Sequence, residues 1–238
     1  MSNLLPPSVA EALEKADRKQ LELAGIGSFA QVIKGADTGF VIKKSLEHPV
    51  VGNLQATKKR IYERLGHHPF ILRYYGDGLP DGLVCQYHRA GTLVDNLALS
   101  NTKWPLQAAE ALRHIHSKNI DDTPAVVSYS TRYTRPPRPI TMTGDDDSND
   151  PTEIDDLFAL GTVIYEIHDG HQLYAEKSSG EIRKLLRQRQ FPDLETIPAT
   201  ARAVIRKCRA GEYRSAEEVL RDLNCGVHRP SDVYTLQS

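Results

Sequence analysis

The chain has 238 residues, 39% hydrophobic and 26% charged, with a net charge of −1. That profile excludes a disordered, collagen-like or membrane-embedded chain, and the length suffices for one large domain or two modest lobes. No apolar run reaches the ~18 residues of a spanning helix, MSNLLPPSVAEALEKADRKQ lacks a basic stretch followed by an apolar one, and Cys85, Cys208 and Cys225 have neither disulfide-framework nor zinc-ligand spacing.

In chain order, residues 8–22 have helical spacing at Val9, Ala12, Leu13 and Ala16, with Ser8 as N-cap behind Pro6-Pro7. From Leu21 to Lys44 the pattern turns to short β-prone runs broken by glycine, predicting three antiparallel strands with a turn over residues 35–39. LQATKKRIYERLG places Leu54, Ile61 and Leu65 on one helical face and ends at Gly66, a C-cap glycine. ILRYYG and GLVCQY then read as strands flanking a turn at Pro80-Asp81-Gly82. Beyond Gly91 the pattern is helical: TLVDNLAL, PLQAAEALRHIHS, DDLFALGTVIYEIHDG, EIRKLLRQRQ, TARAVIRKC and SAEEVLRDL, interrupted by an acidic, proline-rich loop over residues 134–152. A strand-rich first third before a helix-rich remainder predicts an α+β protein of two lobes, divided near residues 87–91.

Gly25-Ile26-Gly27-Ser28-Phe29-Ala30-Gln31-Val32 matches the glycine-rich string G-x-G-x-x-G-x-V except for Ala30 at the third glycine. Glycines between two strands let backbone N–H groups approach phosphates. A dinucleotide-binding fold would need a helix directly after them, where QVIKG reads as a strand. Phe40-Val41-Ile42-Lys43 follows on the next strand in the place of V-A-I-K; Lys44 is the alternative if the register is one residue off, because alternation swaps the faces. With these motifs in order, the chain resembles the eukaryotic protein-kinase superfamily, as a divergent, fungal-type member, over about residues 20–225.

The resemblance implies a truncated, two-lobed kinase-like fold: a small β-rich lobe with one helix (20–88), a larger helical lobe (89–226), an extension over 1–19 and a tail over 227–238. It implies an ATP site at Gly25, Gly27, Val32, Val41 and Lys43, with backbone groups around Gln86 and His88 facing the adenine and Cys85 as gatekeeper. Asp156-Leu157-Phe158-Ala159-Leu160-Gly161 resembles the D-[VI]-W-S-L-G helix at the floor of the kinase C-lobe. Thr131-Arg132-Tyr133-Thr134-Arg135-Pro136 resembles the end of an activation segment, where A-P-E usually appears, with Pro137 in place of the glutamate, and Arg214 stands where the arginine that pairs with that glutamate is expected; that partner is missing here.

Phosphoryl transfer needs a base near the acceptor hydroxyl and carboxylates for magnesium, which kinases supply through H-R-D-L-x-x-x-N and D-F-G. Only twelve residues, Asp121 to Arg132, separate Ile120 from Tyr133, and neither motif occurs in them. Where kinases carry E-K-R-I on the N-lobe helix, this chain has Lys58-Lys59-Arg60-Ile61, so Lys43 would face Lys58; Glu63 lies about 140° further round the helix. The run Asp145–Asp150 reads as a solvated acidic loop, His114 and His116 at i and i+2 cannot share a metal, and no metal-binding residue is assigned.

Three readings follow. The first is a catalytically inactive kinase-domain protein that retains ATP without its magnesium ligands. It would meet a protein partner through a kinase-like surface, with neither nucleic acid nor membrane involved, in the cytoplasm. The second is an active Ser/Thr kinase whose recorded sequence lacks a segment between Ile120 and Asp121. The third is a two-lobed protein unrelated to kinases. Loss of the central C-lobe strands is expected to expose Ala111, Ile115, Leu160 and Ile164 and to leave the fold marginal.

Overall fold

The computed structural model describes residues 21–27, 30–35, 39–46, 55–78, 82–99, 102–120, 131–136 and 152–225. The expected helix ahead of Leu21, the acidic loop, Asp121, Asp122 and the tail lie outside them. The chain forms two compact units, Met1–Gly91 with Ser117–Val126 and Thr92–His116 with Val127–Ser238, so the first unit runs to Gly91.

The first unit is a five-stranded antiparallel sheet of order β1-β2-β3-β5-β4, with β1 at Leu21–Ile26, β2 at Ala30–Gly35, β3 at Phe40–Ser45, β4 at Tyr74–Asp77 and β5 at Gly82–Gln86. Phe40, Val41 and Ile42 are buried in succession because β3 is central and covered on both faces, unlike the edge strands β1 and β4. A bulge between Leu23 and Gly25 lets β1 keep pairing with β2. The one α-helix described in this unit, α1 at Gln55–Leu65, stops where expected: Gly66 takes φ +64°, and its N–H donates to the Tyr62 carbonyl at 3.0 Å.

The second unit is helical: α2 at Leu93–Asn96, α3 at Trp104–His116, α4 at Glu153–Asp169, α5 at Ser179–Arg187, α6 at Ala199–Ala210 and α7 at Ala216–Cys225. Thr92, Thr152 and Ser178 each form a capping box with an acid three residues on, which satisfies the exposed N–H groups at the start of α2, α4 and α5. The core joins α3, α4, α6 and α7 through Ala109, Phe158, Ile164, Val204, Ile205 and Val219. Gly161 lets α4 and α6 touch, since a Cβ placed there would sit 2.4 Å from the Cβ of Cys208.

This α+β architecture, a small antiparallel sheet unit and a helical unit, is the one expected. The exposure expected of the shortened C-lobe is not: Leu160 is 6% exposed and Ile164 fully buried, with Ala111 and Ile115 half-buried. The reason is direct packing of α3 on α4, closed by His116 Nε2 at 3.0 Å from Asp156 Oδ2.

Candidate functional site

Strand register decides which candidate residues share a face. Gly25 pairs with Val32, Val32 with Lys43, Lys43 with Leu83 and Val41 with Cys85, so Gly25, Val32, Val41, Lys43, Leu83 and Cys85 all project to one side of the sheet. Lys43 is half-buried on that side, whereas Lys44 projects from the other and is exposed. Helix α1 covers the same side. Its Tyr62 stacks on Tyr74 with ring centroids 5.4 Å apart and hydrogen-bonds to Cys85. Burial, the Cys85 charge and that bond push the Tyr62 phenol up to about 12.

One turn earlier on α1, Lys58 donates to Ser45 Oγ at 3.2 Å. Its ammonium is held below the ordinary lysine range by burial first and by the charge of Lys43 second. The group meeting Lys43 from the helix is therefore a second cation. Glu63 is exposed, its carboxylate acting on Lys59 and Tyr74; Lys59 itself pairs with Asp77.

At the glycine-rich turn the Gly27 N–H donates to the Ala30 carbonyl at 2.8 Å. A Cβ on Gly25 would meet nothing within 4 Å, and one on Gly27 only the Ala30 carbonyl oxygen at 3.8 Å. Among the described residues, nothing crowds a Cβ at either position. At the other end of the sheet, Gln86 N–H donates to the Arg73 carbonyl at 2.9 Å and Tyr87 N–H to the Gly39 carbonyl at 2.9 Å. Both donors are spent on holding the strand ends. His88 is exposed beyond them.

In the helical unit Asp156 lies on α4 against His116, as described. Arg214 lies between α6 and α7. It is exposed and its guanidinium makes no ion pair among the described residues, while the neighbouring Tyr213 is buried and its hydroxyl donates to Asp222 Oδ2 at 2.7 Å. The arginine with buried donor atoms is Arg209, half-buried on α6. The residues that pin the end of the activation-like stretch were missed as such. Arg135 Nε donates to Asp155 Oδ1 at 2.6 Å, Arg132 Nε to the Leu173 carbonyl at 2.8 Å, and the Tyr133 hydroxyl to Glu166 Oε2 at 2.9 Å. Glu166 is fully buried and also accepts the Leu173 N–H at 2.9 Å; burial nevertheless raises its carboxyl above the ordinary range. A glutamate inside the apolar run Val163-Ile164-Tyr165-Glu166-Ile167 was the available signal, since such a residue is buried only with partners.

The sheet face fits the phosphates of a nucleotide better than it fits a metal. Lys43 and Lys58 put two ammonium groups on this side of the sheet, while the carboxylates that kinases use for magnesium belong to motifs this sequence lacks.

No family model matches the chain. Among curated proteins it is similar to Wee1-like protein kinase 2-B of Xenopus laevis, 25% identical over 216 residues, covering 79% of this chain and 37% of that protein. It is also similar to Wee1-like protein kinase 2 of Danio rerio, 28% identical over 193 residues and covering 70% of this chain and 35% of that protein. A third relative is Wee1-like protein kinase 2 of Xenopus tropicalis, 27% identical over 213 residues, 77% of this chain and 36% of that protein. The chain thus spans little more than a third of the length of these relatives. An antiparallel sheet unit, a helical unit, and these relatives agree: the chain carries a protein-kinase-like domain, a distant relation of the Wee1-like protein kinases.

Proposed function

We propose that the chain is a pseudokinase-like module that binds ATP through the sheet face of Gly25, Gly27, Val32, Val41 and Lys43, with Gln86 and His88 at the base-facing end, and does not transfer its phosphoryl group. The observation that carries this reading is the juxtaposition of Lys43 and Lys58, with the Lys58 ammonium destabilised by burial and by Lys43. A polyphosphate brought to the pair would relieve their repulsion and supply counter-charge that kinases draw from a glutamate and magnesium. No H-R-D-L-x-x-x-N or D-F-G is present to place a base or a metal. A cytoplasmic location goes with this reading, supported by the free thiols of Cys85, Cys208 and Cys225.

The test is calorimetric titration of ATP into the 238-residue chain, in EDTA and in magnesium, beside a radiolabelled phosphate-transfer assay. The expected result is binding in EDTA at least as tight as in magnesium, weakened at least fivefold by Lys43→Ala, with no transfer. Magnesium-dependent transfer, or binding that Lys43→Ala leaves intact, overturns the proposal.

The second reading, an active Ser/Thr kinase whose recorded sequence lacks a segment between Ile120 and Asp121, is favoured by the resumption of kinase-like sequence on both sides of that junction. The transcript across it decides: an uninterrupted message removes this reading. The direct closure of α3 on α4 supports the first.

A further inference from the structure

An open cleft of about 350 Å³ in the helical unit is lined by the stretch Arg189–Leu194 and by Arg206 and Arg209 of α6. Three of its lining side chains are guanidinium groups. Arg209 is the informative one. Its Nε and Nη2 are buried without a hydrogen-bond acceptor among the described residues. The rings of Phe191 and Tyr165 carry the guanidinium at 4.5 and 5.2 Å from their centroids. A ring face offsets charge but supplies no acceptor oxygen, so the buried N–H groups stay unsatisfied. Burial lowers the Arg209 guanidinium to about 10, against a weaker upward pull from Tyr165, Tyr174 and Cys208; it is charged at neutral pH.

Two further features point into the same cleft. Arg189 holds φ +52°, a left-handed conformation that a non-glycine residue adopts at a steric disadvantage. Asp193, the acidic residue in the lining, has its Oδ1 occupied by the N–H groups of Leu194 at 2.5 Å and Glu195 at 3.1 Å. The cleft therefore joins three cations, an engaged carboxylate and apolar walls from Phe191, Pro192 and Leu194. Arginine forks suit planar or tetrahedral oxyanions.

We propose that this cleft docks an oxyanion carried on an apolar body, presented by a phosphorylated side chain of a partner peptide. The oxyanion pairs with the exposed guanidinium groups of Arg189 and Arg206, the half-buried Arg209 adds its positive charge behind them, and Phe191 and Leu194 take the attached ring or alkyl stem. The cleft lies wholly within the helical unit and is independent of the nucleotide reading.

The test is titration of the full chain with a pentapeptide bearing a central phosphotyrosine, its unphosphorylated form, and inorganic phosphate. The phosphopeptide is expected to bind, the unphosphorylated peptide not, and inorganic phosphate at least fivefold more weakly. Arg209→Met is expected to lower affinity at least tenfold. Because that change could also disturb the core, Arg189→Gly is the second variant: glycine suits φ +52°, so the melting temperature holds or rises while affinity falls about threefold. Absence of phosphopeptide binding, equal affinity for inorganic phosphate, or unchanged affinity in Arg189→Gly overturns the proposal. Loss of binding in Lys43→Ala instead would move the anion to the sheet face and overturn it as well.

Discussion

In the helical unit Glu166 sits fully buried with two donors, Tyr133 and the Leu173 N–H, directed at it, and Asp155 answers Arg135. In the sheet unit Lys58 of α1 feels the charge of Lys43 on β3, and a Cβ on Gly25 or Gly27 would meet almost nothing among the described residues. The first arrangement is what stability requires of buried polar groups; the second sets like charges near one another, which costs stability. The comparison teaches where to look for each. Substitutions in the helical network should unfold the protein, and substitutions on the sheet face should leave it folded and change what it binds.

The largest expected effect is Glu166→Ala, which strands two buried donors and should remove about 3 kcal/mol of unfolding free energy. Denaturant unfolding followed by tryptophan fluorescence measures it; a loss below about 1 kcal/mol would dissolve the contrast between the units. Next is Gly161→Ala, which drives a Cβ into that of Cys208 and should destabilise by about 2 kcal/mol, with Cys208→Gly restoring most of it in the double variant.

Asp155→Asn follows. Burial pushes the Asp155 carboxyl up, but its bonds to Arg135 and to the N–H and hydroxyl of Thr152 outweigh this and hold it below the ordinary value of 3.8. A carboxylate with a depressed folded pKa stabilises above its unfolded value, and the contribution disappears as pH falls through the folded one. The variant should therefore be about 1–2 kcal/mol less stable than the wild type at pH 7 and nearly equal to it near pH 2, as read from parallel urea titrations. Smallest is the double substitution Gly25→Ala with Gly27→Ala, which should shift stability by less than ~0.5 kcal/mol while weakening ATP binding severalfold. An unfolded double variant would show that the turn needs its glycines for the fold.

Much of the local structure was legible. The helix over Gln55–Leu65 ends at Gly66 because the apolar spacing and the terminal glycine agree, and α3, α4, α6 and α7 follow their 3.6-residue patterns within a few residues. The opposition of Lys58 and Lys43 was readable from the order of two motifs. Arg214 and Arg209 show the limit. Arg209 ends a helical run and Arg214 precedes the next, and only packing separates one on the surface from one carried between Phe191 and Tyr165. Leu160 and Ile164 show it again, since their burial depends on α3 meeting α4 across a chain separation of some forty residues.

Sequence alone determined the order of elements, the kinase-like succession of glycine turn, strand lysine and α4 motif, and the lack of H-R-D and D-F-G, because these depend on neighbouring residues and their spacing. Tertiary structure decided that Lys43 rather than Lys44 shares a face with Val32, that the helical unit closes by packing α3 on α4, and that Arg209 is half-buried with two buried, unmet N–H groups. Those outcomes rest on register and on contacts between residues distant in the chain, which local periodicity does not encode.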